Sequence, residues 1–308
     1  MLTDDEIWNL AIIVVNYCYL VIVVIGTITN IVAFIIFSRK RFENTIFSTY
    51  FRFMLIVDTF GLVYLVLGKF LYFQFKIQIR DFNESLCRLT LLLAYSVPPI
   101  SAYILVVISI DRWLTITKPT FLLIRKKFSF QILVCIGIVF ANFIYNGQLF
   151  FSYLEIDDYY PNSTRLRCLI PYQDTLQMMD LINSTIIPFL LMIISTILTI
   201  KSVFKSAKKN QSTNQLLTDN QIRRRDIKFA ITSISFNIIF LMLNLPFGLS
   251  TQIPNTMLPI IKRRFLVILF LFLTYLNHVT VFFINISVNK IFLEEFKILF
   301  NIKSDTDF

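Results

Sequence analysis

The sequence predicts an all-α membrane protein, a seven-transmembrane helix bundle followed by a short cytoplasmic amphipathic helix eight. Three observations predict it. The chain is 56% hydrophobic with a mean hydropathy of +0.70, more apolar than soluble domains are. Its 308 residues divide into seven apolar stretches, each close to the ~20 residues a helix needs to cross a bilayer. Of the 29 Lys and Arg, 20 fall on the side of the bundle that receives the second end of the first stretch, and 9 on the other. Basic residues accumulate on the cytoplasmic side of membrane proteins, so the N-terminus is expected outside and the C-terminus inside. Residues 1–9 then form a short extracellular N-terminus, 10–288 the seven-helix domain, and 289–308 helix eight with a brief tail. A net charge of +10 would suggest a nucleic-acid partner in a soluble chain. Here the charges flank apolar spans, so the lipid bilayer is the expected partner and no nucleic acid is.

Span one, residues 10–37, ends at Arg39-Lys40-Arg41. The chain opens on Asp4, Asp5 and Glu6 rather than a basic leader, so this span is expected to act as its own signal anchor. Gly26 and Asn30 share one of its faces, and an Asn at that depth needs a bond to a neighbouring helix. Span two, 47–73, carries Asp58 near its middle. An ionisable group there has to face a polar interior and is by default functional. Span three begins near Cys87 and runs without charge from Leu89 to Ile110, ending on Asp111-Arg112. Cys87 and Arg112 are 25 residues apart, roughly 37 Å of helix at 1.5 Å per residue, which carries the chain from one membrane face to the other. Pro98-Pro99 within it removes two backbone donors and is expected to kink the helix. Span four, 128–153, follows the basic run Arg125-Lys126-Lys127, read as an inner anchor. The outer loop 154–174 is acidic and aromatic and holds Cys168. Span five, 175–204, contains Pro188, span six, 222–252, contains Pro246, and span seven, 265–286, contains Asn277 and the single histidine, His278. A lone histidine reads as a packing hydrogen bonder rather than a metal ligand. Three sequons, at Asn83, Asn162 and Asn183, fit glycosylation, the last inside span five.

Ser109-Ile110-Asp111-Arg112-Trp113, at the inner end of span three, resembles the Asp-Arg-Tyr box of rhodopsin-like (class A) G-protein-coupled receptors, with Trp113 in place of tyrosine. Gly26-x-x-x-Asn30, Asp58, the Cys87-to-Arg112 spacing, Phe240 and Pro246 match the same family. The resemblance implies a Cys87–Cys168 disulfide, which in the chain-entropy view contributes about 4 kcal/mol. It implies a G-protein surface at Asp111 and Arg112, with an inactive-state lock between Arg112 and Asp226. It also implies an allosteric sodium ion held by Asp58, Ser101 and Asn277. The chain departs from the family at several points. Asn244 stands where span six usually has tryptophan, Thr196 where span five usually has tyrosine, and Val281 and Asn285 replace the two polar residues of the helix-seven motif. Span four lacks its usual tryptophan.

The implied function is a G-protein-coupled receptor in the plasma membrane that binds an extracellular ligand and activates a heterotrimeric G protein. The acidic, aromatic outer loop and the end of span seven look most like neuropeptide receptors, so a peptide is the expected ligand, with a small molecule as the alternative. Ala94 stands where aminergic receptors carry an aspartate, and no lysine occurs between Phe265 and Asn289 for a retinal Schiff base. Depth along the spans gives Tyr95, Pro98, Gln177, Gln252 and Tyr275 as pocket candidates. No enzyme reading has support, because the chain has no zinc-protease motif, no nucleophile elbow and no phosphate loop, and carries one His and 6 Gly. Two other classes compete: a transporter, which would show matching broken helices in its two halves, and a receptor-like protein that no longer signals.

Overall fold

The computed structural model describes residues 4–43, 45–75, 77–117, 122–125, 127–156, 166–170, 172–210, 218–252 and 259–302. Six helices among the described residues are long and apolar enough to cross a membrane: Asn9–Phe37, Phe47–Phe75, Glu84–Thr115, Phe128–Tyr145, Gln173–Ser202 and Ile234–Thr251. A seventh crossing is made by the pair Ile261–Asn277 and Thr280–Val288, bent by 52° between them. These are spans one to seven. The last helix, Lys290–Leu299, starts on Asn289, whose Oδ1 accepts the Phe292 N–H at 3.3 Å. This is the usual way a short polar side chain satisfies a helix N-terminus.

Span three is the axis. Two thirds of its window (67%) is buried, against 17% of span four, which sits at the edge with Leu133, Phe140 and Ile144 turned outward. The inner half of the bundle is an aromatic core. Phe37 stacks on Phe51 at 4.9 Å and meets Phe292 at 5.2 Å, so the last helix is packed against spans one and two. Arg39 and Arg41 extend that join, reaching Glu295 at 3.2 Å and Glu294 at 2.8 Å. The outer half is held by Tyr19, Leu62, Val66, Tyr275 and Val279.

The double proline does not break span three, whose helix runs unbroken from Glu84 to Thr117. Pro99 has no N–H to offer the carbonyl of Tyr95, four residues earlier. Asn146 of the following segment donates its Nδ2 to that carbonyl at 3.2 Å, as membrane bundles do when a neighbour re-satisfies a freed group. The same amide reaches Ser96 Oγ and the Asn142 carbonyl. This use of Asn146 also ends span four at Tyr145 rather than at residue 153. The chain leaves the helix there, turns through Gly147–Phe151, and becomes strand Tyr153–Ile156. That strand pairs antiparallel with Leu166–Leu169, with Leu154 opposite Cys168. The outer loop is therefore a hairpin where the sequence predicts only a loop, and its tip, with the sequon at Asn162, lies outside the described residues.

Span seven bends without proline. The N–H groups of His278 and Val279 bond back three residues, to Tyr275 and Leu276, tightening one turn before the helix resumes at Thr280. Gly26 of span one lies against this bend. A Cβ built there would sit 2.7 Å from both Leu62 Cδ1 and Val279 Cγ2, so a larger residue would force these two side chains to shift.

Candidate functional site

Three sites line up from the outer face inward. At the outer end, Cys87 and Cys168 form a disulfide, as the resemblance implies. It pins the hairpin to the head of span three in a small apolar cluster with Leu91, Leu149 and Leu176. The Cys168 N–H also donates to Asp81 Oδ1 at 3.1 Å. Beneath this cover lies a cavity of about 490 Å³, within the size range of small-ligand pockets. Four of the five residues chosen by depth, Tyr95, Pro98, Gln177 and Tyr275, line it. Gln252 does not; it follows the last residue of the helix ending at Thr251 and only its neighbour Thr251 reaches the wall. The remaining lining mixes apolar and aromatic side chains with uncharged polar ones such as Gln78, Gln173, Ser184 and Asn244, and Lys69, Arg80 and Asp180 carry its charge. Arg80 has Asp81 beside it at 3.6 Å. Lys69 and Asp180 were not singled out from the sequence, although both lie on spans at the depth of the chosen residues.

Midway through the bundle, Asp58 is 1% exposed, and its Oδ1 lies 2.7 Å from Nδ1 of His278, also 1% exposed. Asn30 donates to the His278 carbonyl at 3.0 Å, which joins the polar residues of spans one, two and seven at the bend. Ser101 and Asn277, grouped with Asp58 by the resemblance, are buried at 1% and 7%. The sequence predicts only a packing hydrogen bond for His278, with no link to Asp58. A second buried network crosses spans three, four and five: Tyr103 donates to Asn183 Oδ1 at 3.0 Å, and Asn183 Nδ2 reaches Asn142 Oδ1 at 3.2 Å. Asn183 is 6% exposed and serves packing rather than glycosylation. On span six, Asn237 donates to Thr196 at 2.6 Å, so the residue that replaces the usual tyrosine still ties span five to span six. Asn244 bonds its own helix, at the carbonyl of Phe240.

At the inner end, Asp111 is bound by Arg125 of the short helix Leu122–Arg125. The Arg125 Nη1 donates to Asp111 Oδ1 at 2.5 Å and to the Asp111 carbonyl at 3.1 Å, with side chains 9% and 8% exposed. The sequence predicts only a membrane-flanking charge at Arg125. The structure makes it the partner of Asp111 and leaves its Nε and second Nη buried without a bond. The neighbouring Arg112 lays its guanidinium over the Phe47 ring, 3.6 Å from the centroid, a cation–π contact. Asp226 belongs to the helix Thr218–Thr251, but its side chain lies outside those described, and with it the Arg112–Asp226 lock.

The arrangement of a capped outer cavity, a buried acid at mid-depth and an acid–arginine pair at the inner end accords with the comparisons to known proteins. The family model of the seven-transmembrane receptors of the rhodopsin family matches residues 29–283. The N-arachidonyl glycine receptor of Homo sapiens is 26% identical over 182 residues, covering 57% of this chain and 53% of that receptor. The protein of the same name from Macaca fascicularis is 28% identical over 120 residues, covering 39% and 35%. The matched part of the chain thus spans about half or less of these relatives. The family match covers most of the chain, from the middle of span one to span seven, and the transporter reading falls with it. The chain belongs to the rhodopsin family of seven-transmembrane receptors.

Proposed function

We propose that the chain is a cell-surface receptor that takes an extracellular ligand with an apolar body and an anionic head into the outer cavity, and couples that occupancy to a heterotrimeric G protein at Arg112. The observation that carries this reading is the cavity itself. It is mostly apolar, yet Lys69 and Arg80 put two cations on its wall, and a buried or partly buried cation is stabilised by an opposing charge. An acyl amino acid, the type of compound in the relatives' name, has this shape: a carboxylate at one end and a long apolar chain. The N-terminus is outside and the C-terminus inside in this reading, in line with the basic residues on the inner side.

Asp180 favours a second reading. An acid on the same wall suits a ligand that also carries a basic group, as a neuropeptide does, and a peptide C-terminus would meet Lys69 and Arg80 as an acyl carboxylate does. The two are separated by binding of an N-acylglycine and of a neuropeptide library to the full chain, with Lys69→Gln and Asp180→Asn as variants. Acylglycine binding weakened at least tenfold by Lys69→Gln and unchanged by Asp180→Asn supports the first reading. Peptide binding lost in Asp180→Asn supports the second. Binding indifferent to both variants would remove the cavity from the account.

A further inference from the structure

We propose that His278 occupies the place at Asp58 that a sodium ion would take, so that this bundle does not depend on sodium. The contacts at Asp58 do not depend on which ligand the outer cavity binds. Asp58, Ser101 and Asn277 offer a carboxylate, a hydroxyl and an amide, the oxygen donors that hard cations prefer. The carboxylate is the one formal charge among them, and its Oδ1 is already engaged by His278 Nδ1 at 2.7 Å. With Asp58 ionised, Nδ1 carries the proton and donates it. The acid is thereby satisfied from within the chain, as a buried charge must be.

The residue is held in this position by its backbone. Asn30 fixes the backbone by bonding the His278 carbonyl at 3.0 Å. The tightened turn at Tyr275 to Val279 sets the direction in which residue 278 leaves span seven. Gly61, three residues beyond Asp58 on span two, packs beside the ring: a Cβ built there would lie in ordinary contact with it, 3.6 Å from His278 Cε1 and 3.7 Å from Nε2, and the closer approach is to Val97 Cγ1 at 3.3 Å. An ion at Asp58 would have to displace a fully buried imidazole from a packed position. Residue 281, one of the two positions where the chain replaces a polar residue of the helix-seven motif, adds no oxygen donor and is a buried valine (1% exposed).

The test uses the full chain in detergent micelles and compares sodium chloride with choline chloride at equal ionic strength. Ligand that binds only the folded state raises its stability, so thermal unfolding reports sodium binding without any receptor ligand. The same midpoint in both salts for the wild type is expected. His278→Ser and His278→Asn, which shorten the side chain and add an oxygen, are expected to gain a sodium-specific rise that a further Asp58→Asn removes. A sodium-specific rise in the wild type that Asp58→Asn abolishes would overturn the proposal, and so would folded His278 variants that gain none. Should neither variant fold, the wild type still decides. His278 is the single histidine, so nitrogen-15 labelling of histidine gives one imidazole signal. That signal should be unmoved by sodium; a shift caused by sodium and not by choline refutes the proposal.

Discussion

Replacing Arg125 with methionine should destabilise the inner end of the bundle by about 3–5 kcal/mol, the usual result of removing one partner from a buried ion pair. The size follows from the surroundings of Asp111. Both side chains are less than a tenth exposed, and Arg125 binds the carboxylate at 2.5 Å and the backbone carbonyl of the same residue at 3.1 Å. Methionine fills a similar volume but donates nothing, so the carboxylate would stay buried without its partner. The pair is itself an imperfect arrangement, because Arg125 Nε and one Nη are buried and unbonded. Replacing both members, Arg125→Met with Asp111→Val, should therefore restore stability to within about 1 kcal/mol of the wild type, since apolar replacements of buried pairs are often neutral or better. Equilibrium unfolding of the four proteins in detergent gives the coupling directly as a double-mutant cycle. Additive single effects, each below about 0.5 kcal/mol, would show that the pair is not formed in solution.

Three further outcomes follow from named contacts. Cys87→Ser should lower stability by about 4 kcal/mol in the chain-entropy view of a long closed loop, here one of 81 residues' separation; unfolding midpoints with and without reductant should converge for the variant and differ for the wild type. Asn146→Leu should cost about 1–3 kcal/mol, because it leaves the carbonyl of Tyr95 unbonded within the bundle; denaturant unfolding measures it, and Asn146→Gln should restore part of the loss. Gly26→Val should cost about 1–3 kcal/mol or more by overpacking, given the 2.7 Å approach of Leu62 and Val279 to a Cβ at that position; a thermal midpoint equal to wild type would mean that spans one, two and seven sit further apart than described.

The spans themselves were legible because lipid leaves a chain few choices: every apolar stretch of sufficient length must be a helix. The disulfide was legible because two cysteines stand at outer ends and the family pairs them. What the sequence obscured were partnerships between residues far apart in the chain. His278 looked like an isolated packing group, yet a usable signal existed. Asp58 is eleven residues from the inner start of span two at Phe47, and His278 is ten from the inner end of span seven at Val288. Two polar, ionisable side chains at one depth in neighbouring helices are under strong pressure to meet. Arg125 was hidden by its basic neighbours Lys126 and Lys127, which make a membrane-flanking anchor the ready explanation for all three. Hydropathy continues through Leu149, Phe150 and Phe151 and so predicts a longer span four, whereas the end of the helix is set by Asn146 turning its amide to span three. Gln252 was placed by depth alone, and one residue past a helix end depth no longer fixes which way a side chain faces.

In the proposed function, occupancy of the outer cavity is passed to a G protein at Arg112. Second-messenger output from cells displaying the full chain at their surface, challenged with N-acylglycines and a neuropeptide library, tests it most directly. The expected result is a ligand-dependent response that Lys69→Gln or Asp180→Asn shifts to higher concentration and Arg112→Ala abolishes, with surface expression unchanged. A response that survives Arg112→Ala at full size, or one insensitive to every cavity variant, would contradict it.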